Sequence, residues 1–397
     1  MKSYFKQTQL GELVRIATGG TPSRNDPEGW VGGQIPWVTT SEVSFGRLAK
    51  TRESITDHGL ANSSATIVPR GSVLVAMIGQ GRTRGQVALL EMDASTNQNC
   101  ASLVPGDRVD SEYLFQTLAF SYNALRGLSN ASGQGNLNAR LIASLPIPEP
   151  PLREQRKIAE ILRAWDDAID AAEREATMRR RLARDSLNRM ISSAEHGAEH
   201  RRLWEVSEPV RRRSDGADHP VMTISAQRGF VRQSEKFRRD MAGDSLRTYT
   251  LLRRGEFAYN KGNSATFPQG CVFALGQNSA LVPSVYVSFA LDSSLNGRFY
   301  QHYFSSGALN RQLAQRISSS VRGNGLLNIT PKAFMSVEVP VPDRAQQDLI
   351  ALAADHRQQE LTLLQRRTEL LREQKRGLMQ KLLSGEIRVG ESGGGAS

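Results

Sequence analysis

Leu145-Pro146-Ile147-Pro148-Glu149-Pro150-Pro151-Leu152-Arg153-Glu154-Gln155 is the point where an extended, proline-spaced segment turns into a helix, and the chain makes this turn twice. Proline disfavours helix in the residue before it, so Pro150-Pro151 closes the extended part. From Leu152 to about Ser193 there is no proline or glycine. The second copy reads Val337-Glu338-Val339-Pro340-Val341-Pro342, then Gln346-Gln347, then a helical pattern from about Arg344 to Leu383. Pro148 and Pro150 map onto Pro340 and Pro342 at an offset of 192.

The repeat extends upstream. Gly133-Gln134-Gly135-Asn136-Leu137-Asn138 maps onto Gly323-Asn324-Gly325-Leu326-Leu327-Asn328 at an offset of 190. Fainter echoes link Pro36-Trp37-Val38-Thr39-Thr40-Ser41 to Pro220-Val221-Met222-Thr223-Ile224-Ser225. Another links Pro69-Arg70-Gly71-Ser72-Val73-Leu74-Val75 to Arg253-Arg254-Gly255-Glu256-Phe257-Ala258-Tyr259. Order and spacing are both kept, which marks a duplication: globular domain, helix, globular domain, helix.

In the first helix Ile158, Leu162, Trp165 and Ile169 form one apolar face. In the second, Leu361, Leu364, Thr368, Leu371, Lys375, Leu378 and Leu382 alternate steps of three and four, a heptad seam with two polar interruptions. About 40 helical residues make a rod of roughly 60 Å. Such a seam needs another helix to bury it, and the duplicate supplies one, packed antiparallel. Arg179-Arg180-Arg181 and Arg366-Arg367 read as solvated faces.

The globular parts carry short apolar runs between glycines, such as Val73 to Ile78, Cys271 to Leu275 and Val285 to Phe289, which read as buried strands. Glu112 to Leu118 and Arg298 to Phe304 read as helical. The expected fold is α+β: two mixed, strand-rich domains joined by two long helices packed as an antiparallel coiled coil. The expected boundaries are residues 1–150 for the first domain, 151–197 for the first helix, 198–342 for the second domain, 343–390 for the second helix and 391–397 for a flexible tail.

The chain has 397 residues and a formal net charge of +11, which points to a polyanionic partner. The excess is concentrated: residues 201–342 hold 19 basic against 10 acidic residues, whereas residues 1–150 hold 13 against 12. Two cysteines, Cys100 and Cys271, are too few for a disulfide framework and read as buried thiols of a reducing cytoplasm. No apolar run reaches the roughly 18–20 residues of a membrane span. Met1-Lys2-Ser3-Tyr4-Phe5-Lys6 lacks the apolar core of a signal peptide. The expected location is cytoplasmic, with no membrane partner.

A search for chemistry finds no Walker A sequence and no Asn/Asp-Pro-Pro-aromatic run of an amino-methyltransferase. Gly79-Gln80-Gly81-Arg82-Thr83-Arg84-Gly85 lacks dinucleotide-binding spacing. It reads as a basic loop facing a phosphate backbone, or as an ordinary hairpin turn. His196 and His200 stand four apart but with Gly197 between them, so no metal site is expected. A lone nuclease or methyltransferase and a scaffold that ignores DNA remain as rival readings.

Three segments resemble one family. Leu145 to Leu162 is similar to the domain-to-helix junction of the specificity subunits of type I restriction–modification systems. Glu373-Gln374-Lys375-Arg376-Gly377-Leu378-Met379-Gln380-Lys381-Leu382-Leu383-Ser384-Gly385-Glu386-Ile387-Arg388-Val389 resembles their closing segment. Gly19-Gly20-Thr21-Pro22-Ser23 with Gly33-Gln34-Ile35-Pro36-Trp37-Val38 resembles the start of their recognition domain. The second domain lacks the Gly-Gly-Thr-Pro and Ile-Pro-Trp elements, as expected of a domain that reads a different half-site.

The resemblance implies a non-catalytic subunit whose two target-recognition domains read a bipartite site in double-stranded DNA, with the helices fixing the gap. It implies docking of two methyltransferase subunits that carry S-adenosylmethionine and modify adenine. It also implies motor-nuclease subunits that use ATP and Mg, with no cofactor in this chain. Loop residues with donors suited to bases or phosphates are the candidates for DNA contact. In the first domain these are Thr40, Gln80, Arg82, Arg84, Gln134 and Asn136; in the second, Arg228, Lys261, Asn263, Arg322 and Asn324.

Overall fold

Val73–Ala76 and Phe257–Asn260 are the central strands of two sheets built to one plan. The computed structural model describes residues 4–79, 81–131, 135–226, 228–236, 244–262, 267–317 and 327–389. It forms two units, residues 1–173 with 366–397, and residues 174–365. Each unit holds one main sheet and a stretch of both long helices, Leu152–Gly197 and Arg344–Ser384.

In the first unit the strand order is Val14–Thr18, Cys100–Pro105, Val73–Ala76, Val87–Leu90, Arg47–Leu48. All neighbours are antiparallel except the last pair, which is parallel. Side chains alternate across a strand. Val73 and Val75 therefore face Tyr113, Leu114, Ile158 and Leu162, while Leu74 and Ala76 face a second layer with Val38 and Val43. Both faces are covered, which is why the run reads as continuously apolar.

The second unit repeats the plan with Ser207–Pro209, Val287–Leu291, Phe257–Asn260 and Cys271–Ala274. Its helix Gly297–Ser306 supplies Phe299, Tyr300, Tyr303 and Phe304 to the core, and Tyr259 stacks on Phe334 at 4.1 Å. What surrounds the sheets differs. The first unit adds a small sheet of Glu53–Ile55, Ile35–Val38 and Ser95–Thr96; the second adds the hairpin Met222–Ser225 with Gly229–Arg232 and the pair Thr250–Arg253 with Ser279–Val282.

In both units the long helices meet running in opposite directions. In the first, Met379, Leu382 and Leu383 join Ile158 and Leu162 in the core, and Arg372 pairs with Glu173 at 2.5 Å. In the second, Ile191 and Ala194 join Ile350 and Ala351, and Arg179 pairs with Glu360 at 3.2 Å. Thr368 and Leu382 of the heptad seam are buried. Cys100 and Cys271 are free and buried; desolvation pushes the Cys100 thiol up to about 12. Residues 390–397, which include the expected tail, lie outside the described residues.

Candidate nucleic-acid interface

Strand register decides which loops share an end of the first sheet. Thr18 pairs with Ala101 and Ala76 with Cys100, so the loops after Thr18, after Ala76 and before Cys100 gather at one end. The opposite end has Val14 beside Pro105 and leads to Asp110, whose N–H donates to Gln155 of the long helix at 2.9 Å. The loop end therefore points away from the helix junction. Four backbone bonds tie it together: Gly20 N–H to Thr96 O at 2.9 Å, Asn97 N–H to Val38 O at 3.0 Å, Met77 N–H to Asn99 O at 2.9 Å and Leu137 N–H to Met77 O at 2.9 Å. The approach at Gly19 is close enough that a Cβ there would lie 1.9 Å from the Thr96 carbonyl oxygen.

This end brings together Thr40, Arg82, Arg84 and Asn136. The 79–85 loop joins two antiparallel strands, as the hairpin alternative had it. It is a braced hairpin: Tyr122 donates to Arg82 O at 2.6 Å, Arg126 donates to Arg84 O at 3.1 Å, and Arg84 reaches across to the Gly135 carbonyl. Arg84 thus binds the two glycine loops to each other. The Arg82 and Asn136 side chains are exposed. Thr40 is only 9% exposed; it donates to Asn97 Oδ1 at 3.3 Å and accepts from Cys100 Sγ at 3.8 Å, so it braces the loops from beneath. Gln80 and Gln134 lie outside the described residues.

Sequence reasoning missed the turn Asn97-Gln98-Asn99 at the centre of this end. Its signal was available, three consecutive amide side chains between the buried Thr96 and Cys100. Beside it Arg24 lies 3.6 Å over the Trp30 ring and binds Glu53 through two bonds. The Arg24 hydrogen bond holds the Glu53 carboxyl below its usual range.

In the second unit Leu327 N–H donates to Lys261 O at 2.9 Å, which repeats the bond between Leu137 and Met77. Lys261 and Leu327 therefore meet at the equivalent sheet end. The edge strand leads to the same end, where Val210 N–H bonds Ser288 O at 2.8 Å. There Arg211, Arg213, Lys332, Trp204 and Tyr286 line a cavity of about 660 Å³, with no acidic side chain among its described lining residues. Sequence reasoning did not single out these cations. Arg228 goes elsewhere, to a cleft of about 880 Å³ shared with Arg254, Arg298 and Arg344 beside the start of the second long helix; it pairs with Glu235 at 3.8 Å. Asn263, Arg322 and Asn324 lie outside the described residues.

These surfaces offer exposed cations and amides on braced loops, the chemistry that holds phosphates and reads base edges. Among the described residues no group of three or more His, Cys, Asp or Glu side chains is placed to hold a metal. His196 lies in the last turn of the long helix whereas His200 sits in the strand Glu199–Arg202.

Residues 2–177 match a family described as the type I restriction modification DNA specificity domain. The type I restriction enzyme MjaIX specificity subunit of Methanocaldococcus jannaschii is 29% identical over 45% of this chain and 44% of that protein. A type I restriction enzyme specificity subunit of Escherichia coli is 27% identical over 40% of each. The chain thus spans less than half the length of these two relatives. A putative type I restriction enzyme specificity subunit of M. jannaschii, MjaX, is 22% identical over 97% of each chain. Among solved structures, the S subunit of a type I restriction-modification system from M. genitalium superposes with a TM-score of 0.55 at 13% identity, over 96% of each chain. A chain from a structure of complex assembly and conformational transition in the type I R-M system gives 0.58 at 15% identity, over 96% of this chain and 98% of that one. At these identities the structural likeness is one of fold.

Proposed function

We infer, for a chain whose residues 2–177 match the type I restriction modification DNA specificity domain, that it is the DNA-reading subunit of a type I restriction–modification complex. Residues 1–150 and 198–342 are read as two target-recognition domains, and the helical segments 151–197 and 343–390 as the spacer between them. Each domain reads one half-site through its loop end, so the target has two parts and a gap of fixed length. The observation that supports this reading is the repeated architecture. The bond from Leu137 to Met77 in one unit and the bond from Leu327 to Lys261 in the other join corresponding residues at matching ends of matching sheets.

The chain's own side chains bind and orient DNA. Arg82 in the first domain, and Lys261 with Arg211 in the second, attract phosphates. The braced hairpin keeps its backbone fixed as the duplex approaches. Amides such as that of Asn136 face base edges. Thr40, Arg84, Arg228 and the candidates outside the described residues, Gln80, Gln134, Asn263, Arg322 and Asn324, complete the proposed contact set.

Modification and cleavage belong to partners in this reading. Two methyltransferase subunits, carrying S-adenosylmethionine, dock on the duplicated helices and flip out the adenine they modify. Motor-nuclease subunits bring ATP and Mg. The chain is non-catalytic, holds no cofactor and works in the cytoplasm; no described helix is long and apolar enough to cross a membrane.

The test is a methylation map of host DNA after co-expression of the chain with its methyltransferase. The expected result is one methylated-adenine motif made of two half-sites and a constant gap. Methylation at a single continuous site would sink the bipartite reading. A folded complex that methylates nothing would sink the specificity role.

A further inference from the structure

We propose that Gln98 is a specificity-determining residue of the first domain, an amide that reads one adenine in the half-site, and that Thr21 positions it. The inference rests on the DNA-reading function proposed above and names a residue that function did not require.

Gln98 combines two properties that Arg82, Asn136, Thr40 and Asn97 do not share. It is exposed, and its orientation is fixed by Thr21, whose hydroxyl donates to Gln98 Oε1 at 2.5 Å. Arg82 and Asn136 are exposed, and no bond from their side chains to a described residue holds them. Thr40 is oriented but buried, and Asn97 spends its Oδ1 on the Asn99 N–H at 3.2 Å and the Thr40 hydroxyl at 3.3 Å.

The turn that carries Gln98 is held on every side. Asn97 N–H bonds Val38 O, Cys100 N–H bonds Asn97 O at 3.2 Å, and Met77 N–H bonds Asn99 O. Thr21 is anchored in turn by Gly20, which bonds Thr96 O and where a Cβ would lie 2.3 Å from Ser64 Oγ. The turn and the segment that orients its tip are thus pinned to the same strand end.

An adenine presents an N6 donor and an N7 acceptor in the major groove, and a glutamine amide matches both at once. Thr21 occupies one lone pair of Gln98 Oε1 and leaves the second for the N6 hydrogen. No described residue accepts from Gln98 Nε2, which is left for N7. Fixing the amide before contact removes the rotamer cost of binding and prevents the flip that would present donor for acceptor. An exposed glutamine on an ordinary turn tip has no need of such a brace.

The test maps the methylation motif of the complex formed by the full chain and its methyltransferase, with wild type, Gln98→Ala, Gln98→Glu, Thr21→Val and Thr21→Ser. Gln98→Ala is expected to relax a single adenine position of one half-site about tenfold and to leave the other half-site as in wild type. Gln98→Glu is expected to shift that position toward cytosine, whose N4 donates to a carboxylate. Thr21→Val is expected to relax the same position more weakly, and Thr21→Ser to restore it. Wild-type motifs from both Gln98 variants would overturn this inference while leaving the proposed function standing. Relaxation spread evenly over the half-site would also overturn it, since that is the mark of a loosened loop. A wild-type complex without any sequence motif would overturn the function and this inference together.

Discussion

Gln347 makes, at the start of the second long helix, the same two bonds that Gln155 makes at the start of the first. Gln155 Oε1 accepts from Asp110 N–H at 2.9 Å and its Nε2 donates to Pro150 O at 2.9 Å. Gln347 Oε1 accepts from Asn296 N–H at 2.8 Å and its Nε2 donates to Pro342 O at 2.8 Å. Asp110 and Asn296 are the N-caps of the two core helices, and Tyr113 and Tyr300 on those helices donate to Pro148 O and Pro340 O. Each glutamine is 1% exposed. One buried amide thus joins cap, proline turn and long helix in each unit.

Truncating that amide leaves a buried N–H and a buried carbonyl without partners. Gln155→Leu and Gln347→Leu are each expected to destabilise the protein by about 1–3 kcal/mol. Urea denaturation of the purified variants measures this. A loss below a few tenths of a kcal/mol for both would show that the clasp is dispensable.

Lys375, one of the two polar interruptions of the heptad seam, bonds Asp166 at 2.5 Å and Gln116 at 3.0 Å, and Gln116 is fully buried. Lys375→Met removes the cation and takes the ammonium donor from Asp166 Oδ1 and Gln116 Oε1, while Gln116 Nε2 still donates to Asp166 Oδ2 at 2.7 Å, at a cost of about 1–3 kcal/mol. Removing the carboxylate as well, in Lys375→Met/Asp166→Leu, is expected to recover part of that loss. A double-mutant cycle with no coupling would refute the network.

Glu154 sits 3% exposed beneath Arg388, which binds it through two nitrogens at 2.8 and 2.9 Å. The Arg388 hydrogen bond, opposed by desolvation, holds the carboxyl below its usual range. A carboxylate whose folded pKa is depressed contributes stability above its unfolded value, about 4.3 for glutamate, and loses it as pH falls through the folded value. Wild type should therefore exceed Glu154→Gln in thermal stability at neutral pH, with the gap closing below roughly pH 4. Melting temperatures across pH 3–7 decide it, and a gap independent of pH would exclude the ion pair as its source.

Arg82 projects from the braced hairpin with its side chain exposed. As a phosphate contact it contributes affinity without sequence preference. Arg82→Ala is expected to weaken binding evenly across duplexes and to lower the salt slope of log K by about 1. Titrations at several salt concentrations check this, and an unchanged slope would remove Arg82 from the contact surface.

The sequence by itself determined the duplication, the two long helices and their starting points. Those signals are local: the paired prolines around Ile147 and Val341 bar helix before them, and the steps from Ile158 to Ile169 or from Leu361 to Leu382 are complete within one element. The buried strand Val73–Ala76 was legible for the same reason. Only the tertiary structure decided which loops face outward together. Strand register brings Met77 to Asn99 and Leu137 to Met77, sets Thr40 beneath the surface it was expected to form, and carries Arg228 to a cleft at the helix junction. Contacts of that kind join residues tens of positions apart, so no window of the sequence contains them. They are fixed when the sheet closes and its two ends become different places.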